Sequence, residues 1–248
     1  MNDLTVIFYT ANRIGSSFFD AVMNQLRVAL APHGNVPIVA VTQSAPGAAV
    51  YHLELGLRPV RIIDVGDQPP SIVQVYRNIL LGCEAAWTPY VAFCEDDTLY
   101  VPEHFTHRPA PHVFAYNEYR VVISRRLSSD GRRREAFYYH RPRTQMAMGV
   151  CARELMIETL REKFAKYPDP PLDTTIAKKA GWGEPGRYER NLGLSPRTLE
   201  RFRWTMHPNV TFNHGGLMGR RRVNPDDVIF DCIEPWGSAD RLWGRIHG

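Results

Sequence analysis

Residues 71–100 read SIVQVYRNILLGCEAAWTPYVAFCEDDTLY. Ser71 stands as an N-cap ahead of apolar positions at helical spacing, so a helix is expected through Ala86. A short turn follows, and then a strand over residues 90–94 that is hydrophobic throughout. A strand apolar on both faces belongs inside a sheet. Glu95, Asp96 and Asp97 stand where that strand ends. In open α/β sheets the carboxyl ends of the strands face the crevice where ligands bind. Three adjacent carboxylates repel one another, and a cation is the usual means of holding such a site together.

Working outward, residues 4–10 (LTVIFYT) form a strand, 11–17 a polar loop, and 18–30 an amphipathic helix with Phe19, Val22, Met23, Leu26 and Leu30 at helical spacing. Further strands are expected at 37–42 and 60–65. This β-α-β-β-α-β alternation over the first hundred residues predicts an α/β fold with a mostly parallel sheet flanked by helices. The second half is less regular. Residues 112–124 hold strand-like runs, 144–151 read as a strand, and 153–167 as a helix. Asp173 opens a short helix to Ala180, and the strand at 210–214 runs into a Gly-rich loop. There is no internal repeat and no linker, so a single domain over 1–248 is expected.

At 248 residues, 44% hydrophobic and 23% charged, the chain has the composition of an ordinary globular domain with a full core. No stretch approaches the roughly 18 apolar residues of a membrane helix. The N-terminus enters a strand at once, without the layout of a signal peptide, so a cytoplasmic protein is expected, in a host cytoplasm if the source is viral. Cys83, Cys94, Cys151 and Cys232 are scattered, which predicts reduced core thiols and no zinc site. Net charge is only +4, yet 26 of the 30 basic residues are Arg; the four lysines are Lys163, Lys166, Lys178 and Lys179. A GC-rich genome explains the overall ratio but not the clusters described below.

The acid-ended strand resembles the GT-A class of glycosyltransferases, in which a DxD motif holds a divalent metal on a nucleotide-sugar diphosphate. In the inverting family 2 of that class, a helix with an Arg-Asn pair leads through a Gly- and Ala-containing segment into the DxD strand. Arg77-Asn78, Gly82, Ala85 and Ala86 stand in those places here. Glu95 replaces the first Asp of the motif, and its extra methylene changes the reach. The resemblance implies a nucleotide-sugar half over about 1–100 and an acceptor half over 101–248. It implies a UDP-sugar donor by the frequency of UDP in the class. It also makes Asp97 the metal ligand, with Glu95 and Asp96 near it on the donor and Arg77 among the donor-binding residues.

The loop after the first strand, Tyr9-Thr10-Ala11-Asn12-Arg13, corresponds to the segment that holds base and ribose in that class. Thr10 and Asn12 offer hydrogen bonds and Arg13 can meet a phosphate. An ordinary turn, with Asn12 chosen for its backbone conformation, explains the same residues. Late in the chain, VTFNHGGLMGRRR places His214 after a strand, and the resemblance makes it a second metal ligand, with Mn²⁺ favoured over Mg²⁺ by the imidazole. Arg220, Arg221 and Arg222 follow, and Arg220 is the first candidate to screen the departing diphosphate. Asp173 is an ordinary N-cap by its local sequence. The resemblance also makes it the general base that takes the acceptor proton, with Asp169 as second candidate.

Residues 120–143 carry eight arginines (Arg120, Arg125, Arg126, Arg132, Arg133, Arg134, Arg141 and Arg143), with Tyr138, Tyr139 and His140 among them. Residues 187–203 add Arg187, Arg190, Arg197, Arg201 and Arg203, near Tyr188, Phe202 and Trp204. Arg with aromatics is the composition of a surface that tracks phosphates and stacks bases. The acceptor expected from it is a hydroxymethyl group on a DNA base, as in bacteriophage glycosyltransferases that modify 5-hydroxymethylpyrimidines. A glycan, lipid-linked or small-molecule acceptor in surface polysaccharide assembly stays open. Two other classes stand behind these: a nucleotidylyltransferase, whose Gly-rich signature is lacking in TANRIGSS, and a non-catalytic nucleic-acid-binding protein on the same scaffold. Trp236 and Trp243 are expected to pack the C-terminal tail onto the domain.

Overall fold

The computed structural model describes residues 3–43, 60–69, 71–127, 134–140, 143–168, 182–213 and 228–247. Its first strand, β1 (Leu4–Thr10), is buried at all seven positions. Such a strand can only be central, and β1 lies between β2 (Ile38–Thr42) and β4 (Tyr90–Glu95), parallel to both. β3 (Val60–Asp64) extends the sheet beyond β2, again parallel. On the other side β4 meets β9 (Gly149–Ala152), the one reversed strand among the described residues of this sheet, which pairs onward with β6 (Val113–Asn117); β10 (Thr198–Phe202) closes the edge parallel to β6. The order β10-β6-β9-β4-β1-β2-β3 is a mixed, mostly parallel sheet.

Helices cover both faces. α1 (Ser16–Leu30) turns Phe19, Met23 and Leu26 onto Leu4, Val6 and Phe8 of β1. α2 (Ile72–Ala85) and α3 (Arg153–Lys166) pack against Ile7, Val39, Val41 and Phe93 on the opposite face. The Ser71 side chain accepts the Gln74 N–H at 3.0 Å and starts α2 where its sequence predicts. Gly82 lets α2 approach the sheet: a Cβ there would sit 2.5 Å from Ile7 Cγ2.

A second sheet was not expected from the sequence. Among the described residues it has the order β12-β8-β7-β11-β5, from β5 (Thr98–Leu99), β7 (Arg120–Leu127), β8 (Arg134–His140), β11 (Asn209–Phe212) and β12 (Ile229–Phe230). It lies over the outer side of α1, where Phe18 and Val22 meet Leu99, Val121, Val210 and Phe212. A hairpin of β13 (Cys232–Ile233) and β14 (Gly237–Ser238) leads into α4 (Ala239–His247). Trp236 donates its indole N–H to the Pro208 carbonyl at 2.7 Å, and Trp243 packs on Phe212, so both tryptophans pack the tail onto the domain as expected.

Three local expectations change. The run 112–124 is two strands in different sheets, broken at Glu118-Tyr119, where the Asn117 side chain accepts the Tyr119 N–H. The stretch 144–151 is a 3₁₀ turn at Met146–Met148 and only then the strand β9. All four cysteines are free thiols, but Cys232 is exposed on the hairpin rather than in the core. The helix expected from Asp173 lies outside the described residues. Among those described, no helix is long and apolar enough to cross a membrane.

Candidate functional site at the ends of β1 and β4

The chain builds β1, β2 and β3 toward one side, then crosses back to place β4 on the other side of β1. That reversal is a topological switch point, and ligands in open α/β sheets bind at its carboxyl edge. The residues standing there are Tyr9 and Thr10 on β1, and Glu95, Asp96 and Asp97 at the end of β4.

Register brings them together in pairs. Tyr9 lies opposite Glu95, and its hydroxyl donates to Glu95 Oε1 at 2.6 Å. Thr10 donates to Asp96 Oδ2. The same Thr10 oxygen accepts the Asn12 N–H at 2.8 Å and so shapes the loop that follows. Asn12 takes a left-handed backbone with φ of 54°, which Asn tolerates better than most residues. Its conformational role, one of the two open explanations, is therefore visible. Arg13 is exposed and donates to the Gln68 carbonyl at 3.3 Å, spanning from the β1 loop to the loop after β3.

Asp97 joins this edge to the second sheet. Its carbonyl accepts the Phe212 N–H at 2.8 Å, and its carboxylate accepts the Thr98 hydroxyl at 2.9 Å. β5 then pairs with β11. The chain that leads to His214 thus passes Asp97 at Phe212, two residues earlier. His214 itself, Arg220 and Asp173 lie outside the described residues. Arg77 is not drawn to the acids: its guanidinium lies over the Phe164 ring of α3, 5.8 Å from the centroid. Asn78 is buried and accepts from Gln74 at 2.9 Å, a structural bond within α2.

Burial pushes the Glu95 carboxyl up to about 7, with repulsion from Asp97 and then Asp96 adding to it, against the pull of the Tyr9 and Gln145 hydrogen bonds. Negative charge is crowded here, the condition that a divalent cation relieves. The oxygen donors of Asp96 and Asp97 suit a hard cation. Among the described residues no three His, Cys, Asp or Glu side chains group so as to hold a metal ion.

Sequence reasoning missed Gln145, which donates to Glu95 Oε2 at 3.1 Å, and Tyr100, whose hydroxyl accepts the Glu95 N–H at 3.0 Å. The signal for Gln145 is topological: β9 runs against β4, so residues before β9 fall at the carboxyl end of β4. No composition rule reveals that.

The basic segments are less open than their composition implies. Arg120, Tyr138 and Tyr139 are buried, which removes all three from any surface that tracks a nucleic acid. Arg125 lies over Trp243, Arg126 over Phe137, and Arg197 pairs with Glu162 at 3.0 Å. Arg125, Arg126, Arg187, Arg190, Arg201, Phe202 and Arg203 stay exposed.

No family model matches this sequence, and no curated protein does. Among solved structures the fold is similar to residues 1–349 of S. aureus TarS, determined in complex with UDP-GlcNAc. Identity is 12% and the TM-score 0.49, over 90% of this chain and 62% of that one. The chain therefore spans less than two thirds of that structure. A likeness this distant transfers no residue role and no ligand, and the architecture rests on the strand order given above.

Proposed function

We propose that the protein is a glycosyltransferase that moves a sugar from a nucleotide-sugar donor, with UDP as the first base to test, to a hydroxyl acceptor. One observation carries this: two strand ends at the switch point are locked together through Tyr9–Glu95 and Thr10–Asp96, and this presents a row of acids at the edge where nucleotides bind. The row is similar to the acid motif of the class that the sequence resembles, with Glu95 in place of the first Asp.

In this reading Asp97 and His214 hold a divalent cation, Mn²⁺ or Mg²⁺, with Asp96 beside it. When bound, that ion neutralises charge on the departing diphosphate. Tyr9, Thr10 and Asn12 shape the base and ribose loop, and Arg13 and Arg220 meet phosphate charge. Asp173 takes the proton from the acceptor hydroxyl as the sugar is attacked from the face opposite the diphosphate, which gives inversion. The first hundred residues serve the donor, and the rest serve the acceptor apart from His214 and Arg220. For the acceptor we favour a 5-hydroxymethylpyrimidine in DNA, as in phage-type DNA modification. The exposed Arg201-Phe202-Arg203 run supports it.

The test begins with binding. UDP-, GDP-, ADP- and dTDP-sugars are titrated with Mn²⁺ and with EDTA, and a metal-dependent rise in melting temperature for one of them is expected. Transfer is then assayed on 5-hydroxymethylated DNA against simple glycans. Asp97→Ala should abolish transfer with the fold kept, and Asp173→Asn should lose turnover yet bind donor. No donor binding, with binding of DNA alone, would replace this function by a nucleic-acid-binding one.

A further inference from the structure

The three acids are held in different ways. Asp96 is tied to Thr10, and Asp97 to Thr98 and the second sheet. Both oxygens of Glu95 already face protein donors from two sides: Tyr9 Oη on β1 at 2.6 Å, and Gln145 Nε2 from the segment before β9 at 3.1 Å. The Glu95 backbone is held as well, its N–H donating to Tyr100 Oη. A carboxylate that ligates a cation or a ribose turns an oxygen toward it. Here each oxygen is already engaged by a protein donor.

We infer that Glu95 is a positioning residue rather than a ligand of donor or metal, and that Gln145 is its positioning partner. Tyr9 on β1 and Gln145 in the segment before β9 grip the Glu95 side chain from the two sides of β4, and this grip fixes the turn that presents Asp96 and Asp97. The inference rests on the donor-site reading above and reassigns one of its residues.

A second observation makes the idea testable. Gln145 Oε1 is buried without a hydrogen-bond partner. In Glu95→Gln the new amide oxygen still accepts from Tyr9. Its NH₂ group donates to Gln145 once the Gln145 amide turns over, which gives the orphaned oxygen a donor and leaves the Gln145 NH₂ in that oxygen's former place. The isosteric neutral residue can therefore do the same job. Gln145→Glu cannot, because it sets a second carboxylate against Glu95. The double variant restores an amide–carboxylate pair with its polarity reversed.

The experiment is calorimetric titration of UDP-, GDP-, ADP- and dTDP-sugars into the full chain with Mn²⁺, on wild type, Glu95→Gln, Gln145→Glu and the double variant, with melting curves in EDTA for each. Glu95→Gln is expected to bind donor within about threefold of wild type, the margin of a neutral substitution. Gln145→Glu is expected to lose about tenfold or more, as supporting residues of metal sites do, with a lower melting temperature. The double variant should recover both. If Glu95 is a direct ligand, Glu95→Gln alone loses tenfold and the double variant does not recover, which overturns the inference while the donor site stands. A wild type that binds no nucleotide sugar overturns the donor-site reading and this inference with it.

Discussion

Replacing Glu95 by Gln should make the metal-free protein more stable at alkaline pH and leave it unchanged in acid. An acid held above its ordinary value binds its proton more tightly in the folded state than in the unfolded one. The folded state is therefore favoured while the group is protonated, below its ordinary 4.5, and loses that advantage as pH rises through about 7. The gap between the two values, at about 1.4 kcal/mol for each factor of ten, corresponds to about 3 kcal/mol. A chain of this size shifts by about 2–4 °C per kcal/mol, so Glu95→Gln should melt up to about 6–12 °C above wild type at pH 8.5. The two should coincide near pH 4.5. The assay is a set of melting curves in EDTA from pH 4.5 to 8.5, read as variant minus wild type. His104, pushed down to about 3 by burial, and His140, also lowered, weaken both proteins in acid and cancel in the difference. A difference that stays constant across this range, or a variant less stable at pH 8.5, would refute the reasoning.

Gly82→Ala brings a methyl to 2.5 Å from Ile7 Cγ2 on a fully buried central strand. Overpacking of about 1–3 kcal/mol outweighs the gain of about 1 kcal/mol in helix propensity, and urea unfolding should show a net loss. Asn12→Gly should keep the φ of 54° and donor affinity, whereas Asn12→Val should lower stability by about 1–3 kcal/mol and distort the loop; equal melting curves for the two would count against the turn. Lys163 and Glu189 form a buried pair at 3.8 Å, and desolvation holds the ammonium below the usual lysine range. Lys163→Met should cost about 3 kcal/mol by stranding Glu189, and adding Glu189→Gln should return part of it; a double variant less stable than the single would show that the pair is not the cause.

The first hundred residues were legible because their burial is two-sided. β1 and β4 are mostly hydrophobic runs, and Ser71 marks the start of α2 with a bond that the structure contains. The second sheet was hidden for the opposite reason. Its strands β7 and β8 lie in a basic stretch whose Arg and Tyr residues suggested surface, yet Tyr138 and Tyr139 are both buried, on opposite faces of β8. The break at Glu118-Tyr119 lies between two apolar runs, and only the change of sheet distinguishes them. In the site, the acids announced themselves by charge. Gln145 did not, because a lone glutamine carries no pattern and its place at Glu95 comes from the reversed direction of β9.

The uneven placement of the thiols equips the chain with a built-in reporter. Burial drives the Cys83, Cys94 and Cys151 thiols far above the range in which a thiolate forms at neutral pH, whereas Cys232 stands exposed on the C-terminal hairpin. A maleimide dye added to the native protein should therefore take one equivalent, at Cys232, without any engineering of the sequence. The other three sulfurs lie in the core beneath β4, β9 and α2, so their labelling should proceed only as fast as the core opens. The stoichiometry of dye uptake over time then separates movement of the tail from opening of the central sheet in a single tube.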